Sequence, residues 1–401
     1  MSNIPITFVT PWYRSFAGGA EVAVRTLAEQ LSKRGFYVQV LTTCCCSPFD
    51  NWWQNKLPSG VEKVNGVIVR RFPVKCQGEE IYHEINHRII QRLEIEEKSQ
   101  RQFVENSINS EELINYAKNN TQGHLVIGIP YTQGLIYSLI QSLEGRASIM
   151  PCFHDEPQFR WITTAEMLGW SRHIFFLTEE EKSLAIKYYG NYFGRKIIET
   201  AVIGVGVELP IDIDSLLLNS SVVTRITSCY HLPKKFFIYV GRKDIGKNIL
   251  TLIQFFKKYR ANGGEANLVF LGGGDINLVP LEDGFLDLGF VPETDKYIII
   301  SQALALINLS QNESFSLVLM EAWLCEIPVI VHEGGKVTTA HCRNTGGGIS
   351  ISSSEEFEAA LKVLSIKNKG KIIGRYGKRY VQRNYSWDCV IESFLRGAYQ
   401  G

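Results

Sequence analysis

The chain has 401 residues, 45% of them hydrophobic and 21% charged, with 42 Lys plus Arg against 41 Asp plus Glu. That length exceeds one hydrophobic core of typical size, so two domains are expected, in a composition ordinary for a globular protein. The balanced charge leaves no footprint for a nucleic-acid partner. No stretch is apolar enough to span a bilayer, since the longest candidate, Tyr297 to Leu309, is broken by Ser301, Gln302 and Asn308.

Strands and helices alternate along the chain. Ile6 to Thr10 reads as a first strand, followed by a Gly-rich loop and a helix predicted from about Glu21 to Arg34, stopped by Gly35. Tyr37 to Thr43 reads as a second strand. Apolar runs at Val67–Arg71, Leu125–Ile129, Ser148–Phe153, His173–Leu177 and Ala201–Val205 continue the pattern, with a polar, charge-rich insert over residues 78–120. After Glu208-Leu-Pro210 the pattern restarts. Phe236–Val240 is a strand, a helix begins at about Asn248, Leu268–Leu271 is a strand ending in Gly272-Gly-Gly274, and Leu304–Leu309 and Pro328–Val331 are further strands. The polar stretch from Pro210 to Pro233 reads as a linker. Buried apolar runs joined by helices indicate parallel sheets covered on both faces. The fold class is therefore α/β, two Rossmann-like domains facing each other across a cleft, with ligands expected at the carboxyl ends of the strands. The boundaries predicted are 1–208 and 209–384, with residues 385–401 carrying a last helix from Ser386 to Tyr399.

Glu313-Ser-Phe-Ser-Leu-Val-Leu-Met-Glu321 is the most informative stretch. One carboxylate falls in a loop just before a helix and the other inside that helix. Such a pair can hold two parts of one ligand, with the helix N-terminus directed at an anion between them, and suggests a nucleotide-sugar site. Gly241-Arg-Lys-Asp-Ile-Gly-Lys-Asn248 follows the first strand of the second domain. Its Arg242 and Lys247 can fold onto one diphosphate, one as a fork and one as a point charge, although a solvated basic loop is the plain alternative. Gly18 and Gly19, within Phe16-Ala-Gly-Gly-Ala-Glu21, let backbone N–H groups approach a phosphate or sugar at a helix start. This is not the full dinucleotide fingerprint. His154, in Pro151-Cys-Phe-His-Asp-Glu156, sits where a strand ends and can bond a hydroxyl or act as acid or base; a structural turn histidine is the alternative.

Taken together, the chain resembles a retaining glycosyltransferase of family four, with the GT-B double-Rossmann fold. The matching residues are Gly18-Gly19, His154, Gly206-Val207-Glu208, Arg242 and Lys247, Gly272-Gly273-Gly274, Gly289-Phe-Val291, the Glu313/Glu321 pair and Ser386-Trp387, in the family's order along nearly the whole chain. The resemblance implies that Arg242 and Lys247 bind the donor's diphosphate. It implies that Glu313 holds the transferred sugar and Glu321 the ribose hydroxyls. Backbone groups near Phe290 and Val291 would read the base, and the N–H groups of Phe315, Ser316, Leu317 and Val318, next to Ser314, would cap the phosphates. His154 and the Gly18-Gly19 loop would close over the sugar, and the last helix would cross back to the first domain. Catalytic roles fall on Glu313, His154, Arg242 and Lys247. No metal and no cofactor are required, because the two cations can neutralise the diphosphate. The donor expected on family grounds is UDP-glucose, with GDP as second choice of nucleotide. The acceptor expected is a glycan or lipid-linked oligosaccharide in bacterial envelope or exopolysaccharide synthesis, and there is a further similarity to enzymes of cyanobacterial heterocyst-envelope polysaccharide.

The sequence also departs from the family. Ser314 and Ser316 stand where glycines are usual, and Glu326 replaces a usual glycine before Pro328. Ser316 is expected to cap the following helix. The added hydroxyls put the identity of the donor sugar in question.

Several motifs compete with this reading. His83-Glu-Ile-Asn-His87 matches the HExxH zinc pattern, with Glu105, Glu111 or Glu112 as third ligand, but lies in the polar insert and reads as an amphipathic surface helix near the acceptor side. Asp212-Ile-Asp214 resembles a metal-holding DxD but lies in the predicted linker. The nine cysteines, Cys44-Cys45-Cys46 among them, are an odd count without CxxC spacing, which fits reduced thiols in a cytoplasmic protein. No signal peptide is visible at Met-Ser-Asn-Ile-Pro5. The basic run from Lys367 to Arg383 reads as a solvated helix face, with contact to the inner face of an anionic membrane as the alternative. The functional rivals are a nucleotide-sugar epimerase or hydrolase of the same fold, a zinc protease, and a non-catalytic nucleotide-sugar-binding protein.

Overall fold

The computed structural model describes residues 4–14, 18–193, 199–209, 213–366 and 368–399. It divides into two compact units, one of Met1–Gly206 with Val390–Gly401 and one of Val207–Cys389.

The first unit is built on eight strands: β1 (Ile6–Val9), β2 (Val38–Thr43), β3 (Gly60–Val64), β4 (Val67–Phe72), β5 (Leu125–Gly128), β6 (Ala147–Ile149), β7 (His173–Phe176) and β8 (Glu199–Val202). They form one sheet in the order β3-β4-β2-β1-β5-β6-β7-β8. Every pairing is parallel except β3–β4. β1, β2, β5, β6 and β7 are buried along their length, because helices cover both faces and each apolar side chain has somewhere to go. β3 is an exposed edge joined to β4 by Asn65-Gly66, whose φ values of 48° and 89° are both left-handed, as a two-residue hairpin turn needs. This hairpin is absent from the sequence reading, although Asn-Gly is its strongest short-range signal.

The second unit carries β9 (Phe236–Val240), β10 (Asn267–Leu271), β11 (Phe285–Asp287), β12 (Leu306–Asn308), β13 (Val329–His332) and β14 (Gly348–Ile351). All are parallel, in the order β11-β10-β9-β12-β13-β14. Its core joins Phe237, Tyr239, Phe256, Phe270, Ile307 and Phe357. Because the strands are parallel, the segments beginning at Gly241, Gly272, Leu309 and Glu333 leave from the same edge of the sheet.

Some expectations need correction. The supposed linker holds two helices, Ile213–Leu218 and Ser220–Cys229. Ile213 and Ile226 are buried, and Tyr230 donates to Asp295 at 2.8 Å, so a polar-looking segment is anchored by a few apolar side chains at helical spacing. Asp212 and the side chain of Asp214 lie outside the described residues. The 78–120 insert is three helices, Glu79–Ile90, Glu97–Glu105 and Glu111–Asn120. The first two pack through Tyr82 and Phe103, stacked at 4.5 Å between ring centroids, with Trp53 and Trp161. The third belongs to the main core through Leu113, Ile114 and Ala117. The run predicted as a strand to Phe153 leaves the sheet after Ile149.

The Trp387–Tyr399 helix begins in the second unit and ends in the first, where buried Phe394 meets Phe175 at 5.5 Å and Phe8 at 6.3 Å between ring centroids. Among the described residues no helix is long and apolar enough to cross a membrane.

Candidate functional site

In the second unit β9 runs into Gly241, and the following loop lies directly against the glycines after β10. A Cβ on Gly272 would stand 2.4 Å from the Gly241 carbonyl oxygen, and one on Gly274 would stand 2.4 Å from that of Lys243. Lys243 is 1% exposed and not a ligand group: its Nζ donates to Asp287 at 2.7 and 2.8 Å and to the Gly272 carbonyl at 2.7 Å. A buried ammonium is tolerable only when paired in this way. It locks the ends of β9, β10 and β11 together beneath the exposed cations. Sequence reasoning passed over it because a Lys between Arg242 and Asp244 looks like one more solvated charge.

Asp244 then caps a short 3-10 turn, Ile245–Lys247, accepting from the Lys247 N–H at 3.0 Å, and the Lys247 side chain is aimed at β12. Lys247 Nζ meets Glu313 Oε1 at 2.8 Å. Residues 66 positions apart are thus joined at the strand ends. Arg242, on the same turn, has an exposed side chain, and its Nε donates to Asp244. Of the two sequence-predicted cations, Lys247 thus meets the first carboxylate and Arg242 meets Asp244 of its own turn.

β12 ends in Asn308, and the chain reaches the Leu317–Leu324 helix through Glu313, Ser314, Phe315 and Ser316. Ser316 holds the position before the helix at φ 70°, a left-handed conformation that costs a non-glycine residue on the order of 1 kcal/mol. Its side chain makes no capping bond, contrary to expectation; Oγ accepts from Asn308 Nδ2 at 3.1 Å instead. Glu326 is also left-handed, at φ 60°. Both positions are ones where the family resemblance expects glycine, and the backbone supplies the reason. Glu326 is held by Arg375 at 3.1 Å and Lys378 at 3.2 Å, which keep its carboxyl below the usual range against the opposing effect of burial.

Phe315 is buried against Tyr385 and His341, at 4.9 and 5.5 Å between ring centroids. Burial lowers the His341 pKa to about 4, so the histidine supports the loop as a neutral ring. Glu321, inside the helix, accepts from Lys296 Nζ at 2.9 Å and from the Tyr297 hydroxyl at 3.1 Å. Burial, with Glu321 beside it, pushes the Tyr297 phenol well up, so it stays a donor. No sequence signal marked Lys296 or Asn308. Leu317 and Val318 open the helix with N–H groups that have no partner within it. Phe290 is 76% exposed, beside Gly273, and Val291 follows it; Gly289 and Gly272 are tied by a 2.7 Å backbone bond.

In the first unit Gly18 precedes and Gly19 opens the Gly19–Lys33 helix, with open space where a Cβ on Gly19 would stand. Phe16 and Ala17 lie outside the described residues. His154 lies after β6 with Nδ1 3.8 Å from Glu156 Oε1, which also accepts from the Tyr131 hydroxyl at 2.6 Å. Burial opposes ionisation of Glu156, but His154 and Tyr131 together hold its pKa below the ordinary value. The Glu181 carboxylate, wholly buried, accepts from the N–H groups of Phe153 and Leu177 at 2.6 Å each. Burial pushes its pKa up to about 7. Neither acid was singled out from sequence, although Thr178-Glu-Glu-Glu181 has the spacing of a capping box and Thr178 Oγ1 does accept from the Glu181 N–H.

The HExxH histidines lie on one helix, where His83 is packed edge-on to Trp53 and Tyr82 and His87 meets Gln91 at 2.8 Å. Among the described residues no three His, Cys, Asp or Glu side chains come together as a metal site.

Residues 231–380 match the family of glycosyl transferases group 1. The chain is 30% identical over 116 residues to glycosyltransferase 1 domain-containing protein 1 of Xenopus tropicalis, covering 28% of this chain and 32% of that one. It is 28% identical over 189 residues to a probable sucrose-phosphate synthase of Thermosipho melanesiensis, covering 42% of each. The chain thus spans less than half the length of these two curated relatives. Among solved structures it resembles the UDP-forming trehalose-phosphate synthase of Burkholderia xenovorans in complex with glucose-6-phosphate (TM-score 0.71, 12% identity, 98% of this chain and 99% of that one). It also resembles Anabaena HepE in complex with UDP and glucose (TM-score 0.65, 13% identity, 98% and 99%). A sucrose-phosphate synthase from Thermosynechococcus elongatus superposes with TM-score 0.65 at 17% identity, over 98% and 97%. At these identities the likeness is one of fold, and the fold is GT-B.

Proposed function

We propose that the protein is a retaining glycosyltransferase that moves a hexose, glucose from UDP-glucose in the first instance, to a hydroxyl of a sugar acceptor. The observation that carries the reading is the 2.8 Å pair of Lys247 and Glu313 beside the open N-terminus of the Leu317–Leu324 helix. Partial positive charge at a helix start, a lysine able to leave its carboxylate, and a second acid farther along the helix suit a diphosphate lying between a sugar and a ribose. The family match over residues 231–380 supports it, as do structural neighbours described with UDP and glucose.

In this reading Lys247, Arg242 and the N–H groups of Phe315 to Val318 stabilise the charge that develops on the departing diphosphate. Glu313, released from Lys247, bonds the sugar's hydroxyls, Glu321 the ribose, and the backbone at Phe290 and Val291 the base. The same reading assigns His154 and the Gly18-Gly19 helix start to the sugar. The acceptor oxygen attacks the anomeric carbon on the face the phosphate leaves, and the acceptor's proton passes to the departing phosphate oxygen. Neither metal nor cofactor takes part. The acceptor is a glycan or lipid-linked oligosaccharide, in envelope or exopolysaccharide assembly at the cytoplasmic face of a membrane.

The test is a thermal-shift titration with nucleoside diphosphates and their sugars, followed by turnover with and without EDTA. A ligand bound only by the folded state adds about 2.7 kcal/mol of stability at 100 times its Kd. UDP and UDP-glucose should raise Tm most, EDTA should leave turnover intact, and Glu313→Gln should cut turnover at least about a hundredfold while changing UDP affinity less than about threefold. No shift with any nucleotide would remove the site. Unchanged turnover in Glu313→Gln would remove its assigned role.

A further inference from the structure

Asn308 and Ser316 are 5% and 7% exposed, one at the end of β12 and the other just before the Leu317–Leu324 helix. Asn308 Nδ2 donates to Ser316 Oγ at 3.1 Å and lies 3.5 Å from Glu313 Oε1, while Oδ1 accepts from the Ser310 N–H at 3.0 Å. Ser316 sits at φ 70°, ψ 75°, and its hydroxyl bonds no helix N–H. A serine at this place in a chain ordinarily takes the extended conformation and caps the helix, its oxygen accepting from the second or third helical N–H. The third, that of Leu319, already donates to the Ser316 carbonyl at 3.2 Å, which leaves Val318. Capping would be the lower-energy choice for an L-residue, and it would occupy a donor that an incoming anion needs.

We infer that Asn308 is a positioning residue for the donor diphosphate: its amide holds the Ser316 hydroxyl, keeps Ser316 left-handed, and so keeps the start of the Leu317–Leu324 helix uncapped and open. The inference rests on the reading of this helix start as the diphosphate site. Two alternative states follow for the same short loop. In one, the Asn308–Ser316 bond compensates the left-handed backbone and the N–H groups face the ligand. In the other, Ser316 has relaxed, its oxygen caps the helix, and the diphosphate must compete with it. A glycine at 316 has no hydroxyl with which to compete, so the need for Asn308 disappears with the serine that creates it.

The test is UDP binding by calorimetry to the full chain and to Asn308→Ala, Asn308→Ser, Ser316→Gly and Asn308→Ala/Ser316→Gly, with Tm measured for each without ligand. Asn308→Ser keeps a side-chain oxygen near Ser310 yet is too short to span to Ser316, so it serves if the alanine variant fails to fold. Both substitutions at Asn308 should weaken UDP about fivefold to tenfold, the worth of one helix cap. In the Ser316→Gly background the same Asn308→Ala change should alter affinity less than about twofold. That rescue separates the mechanism from simple loss of packing, which glycine would not repair. Equal affinity of wild type and the Asn308 variants, or the full weakening retained in the Ser316→Gly background, would overturn the inference while leaving the site in place. If wild type binds neither UDP nor GDP, the site reading fails and this inference falls with it.

Discussion

Two backbone N–H groups end on the Glu181 carboxylate at 2.6 Å each, one from the loop that carries His154 and one from the end of β7. Burial raises the acid to about 7, above the ordinary glutamate value that the unfolded chain would show. Between those two values the folded state binds more protons than the unfolded one. Stability from this group is therefore fully present below the unfolded pKa and is lost as pH rises through about 7. Denaturant unfolding should show wild type losing on the order of 2 kcal/mol between pH 5 and 7.5 relative to Glu181→Gln. The glutamine variant should be less stable at pH 5, because its amide turns an N–H toward one of the two backbone N–H groups. Parallel pH profiles for the two proteins would show that Glu181 does not titrate in this range. Such a residue is hard to find from sequence: the third of three consecutive glutamates is marked only by its spacing from Thr178. Lys247 and Glu313 each stood out in the sequence from its own loop, but their contact needs β9 and β12 to be neighbours in the sheet. Ser316 and Glu326 were legible as departures, and only the backbone angles say what they depart from.

At the scale of elements, the long buried strands and the helices after them could be read directly, because apolar runs of this length bounded by loops leave few alternatives. What escaped was short or disguised: β11 with three residues, β14 behind three glycines, and helices in a segment whose polarity read as linker. The Lys369–Asn384 helix is half legible in the same sense. Its charges were expected to face solvent, and most do, but Arg375 and Lys378 reach Glu326, and beside them runs a buried stripe of Gly370, Gly374, Gly377 and Val381. The glycines let this helix lie against the one carrying Glu321. A Cβ on Gly374 would stand 2.0 Å from the Glu326 carbonyl oxygen, a backbone atom that cannot rotate away. Two effects of Gly374→Ala then oppose each other. Alanine favours the helix by about 1 kcal/mol, while forcing packed elements apart costs about 1–3 kcal/mol. The clash should win, because the approach is closer than any real Cβ contact allows. Gly374→Ala should lower stability by about 1–2 kcal/mol, and if the packed helices carry the site, weaken UDP as well. A gain in unfolding free energy would mean that the helices separate without cost.

At the scale of the whole molecule, each unit has its own sheet and its own buried cluster, so each has the means to unfold in its own transition. The last helix makes the units distinguishable. Phe394 is fully buried against Phe8 and Phe175, both in the first unit, although the stretch of chain from Val207 to Cys389 that leads up to its helix belongs to the second. Truncating such a ring costs about 3–5 kcal/mol, through lost burial and the cavity left behind. Phe394→Ala should therefore shift the unfolding of the first unit by about that amount. UDP, if it binds through Lys247, Glu313 and Glu321 as proposed, should stabilise the second unit by mass action. Calorimetric scans of wild type and Phe394→Ala, each with and without UDP, should then separate two transitions, one moved by the mutation and the other by the ligand. A single transition moved equally by both would show that the two sheets unfold as one body. In that case the Phe394 contact and the ligand would act on one shared stability, and UDP at 100 times its Kd, adding about 2.7 kcal/mol, would offset part of the loss in the mutant.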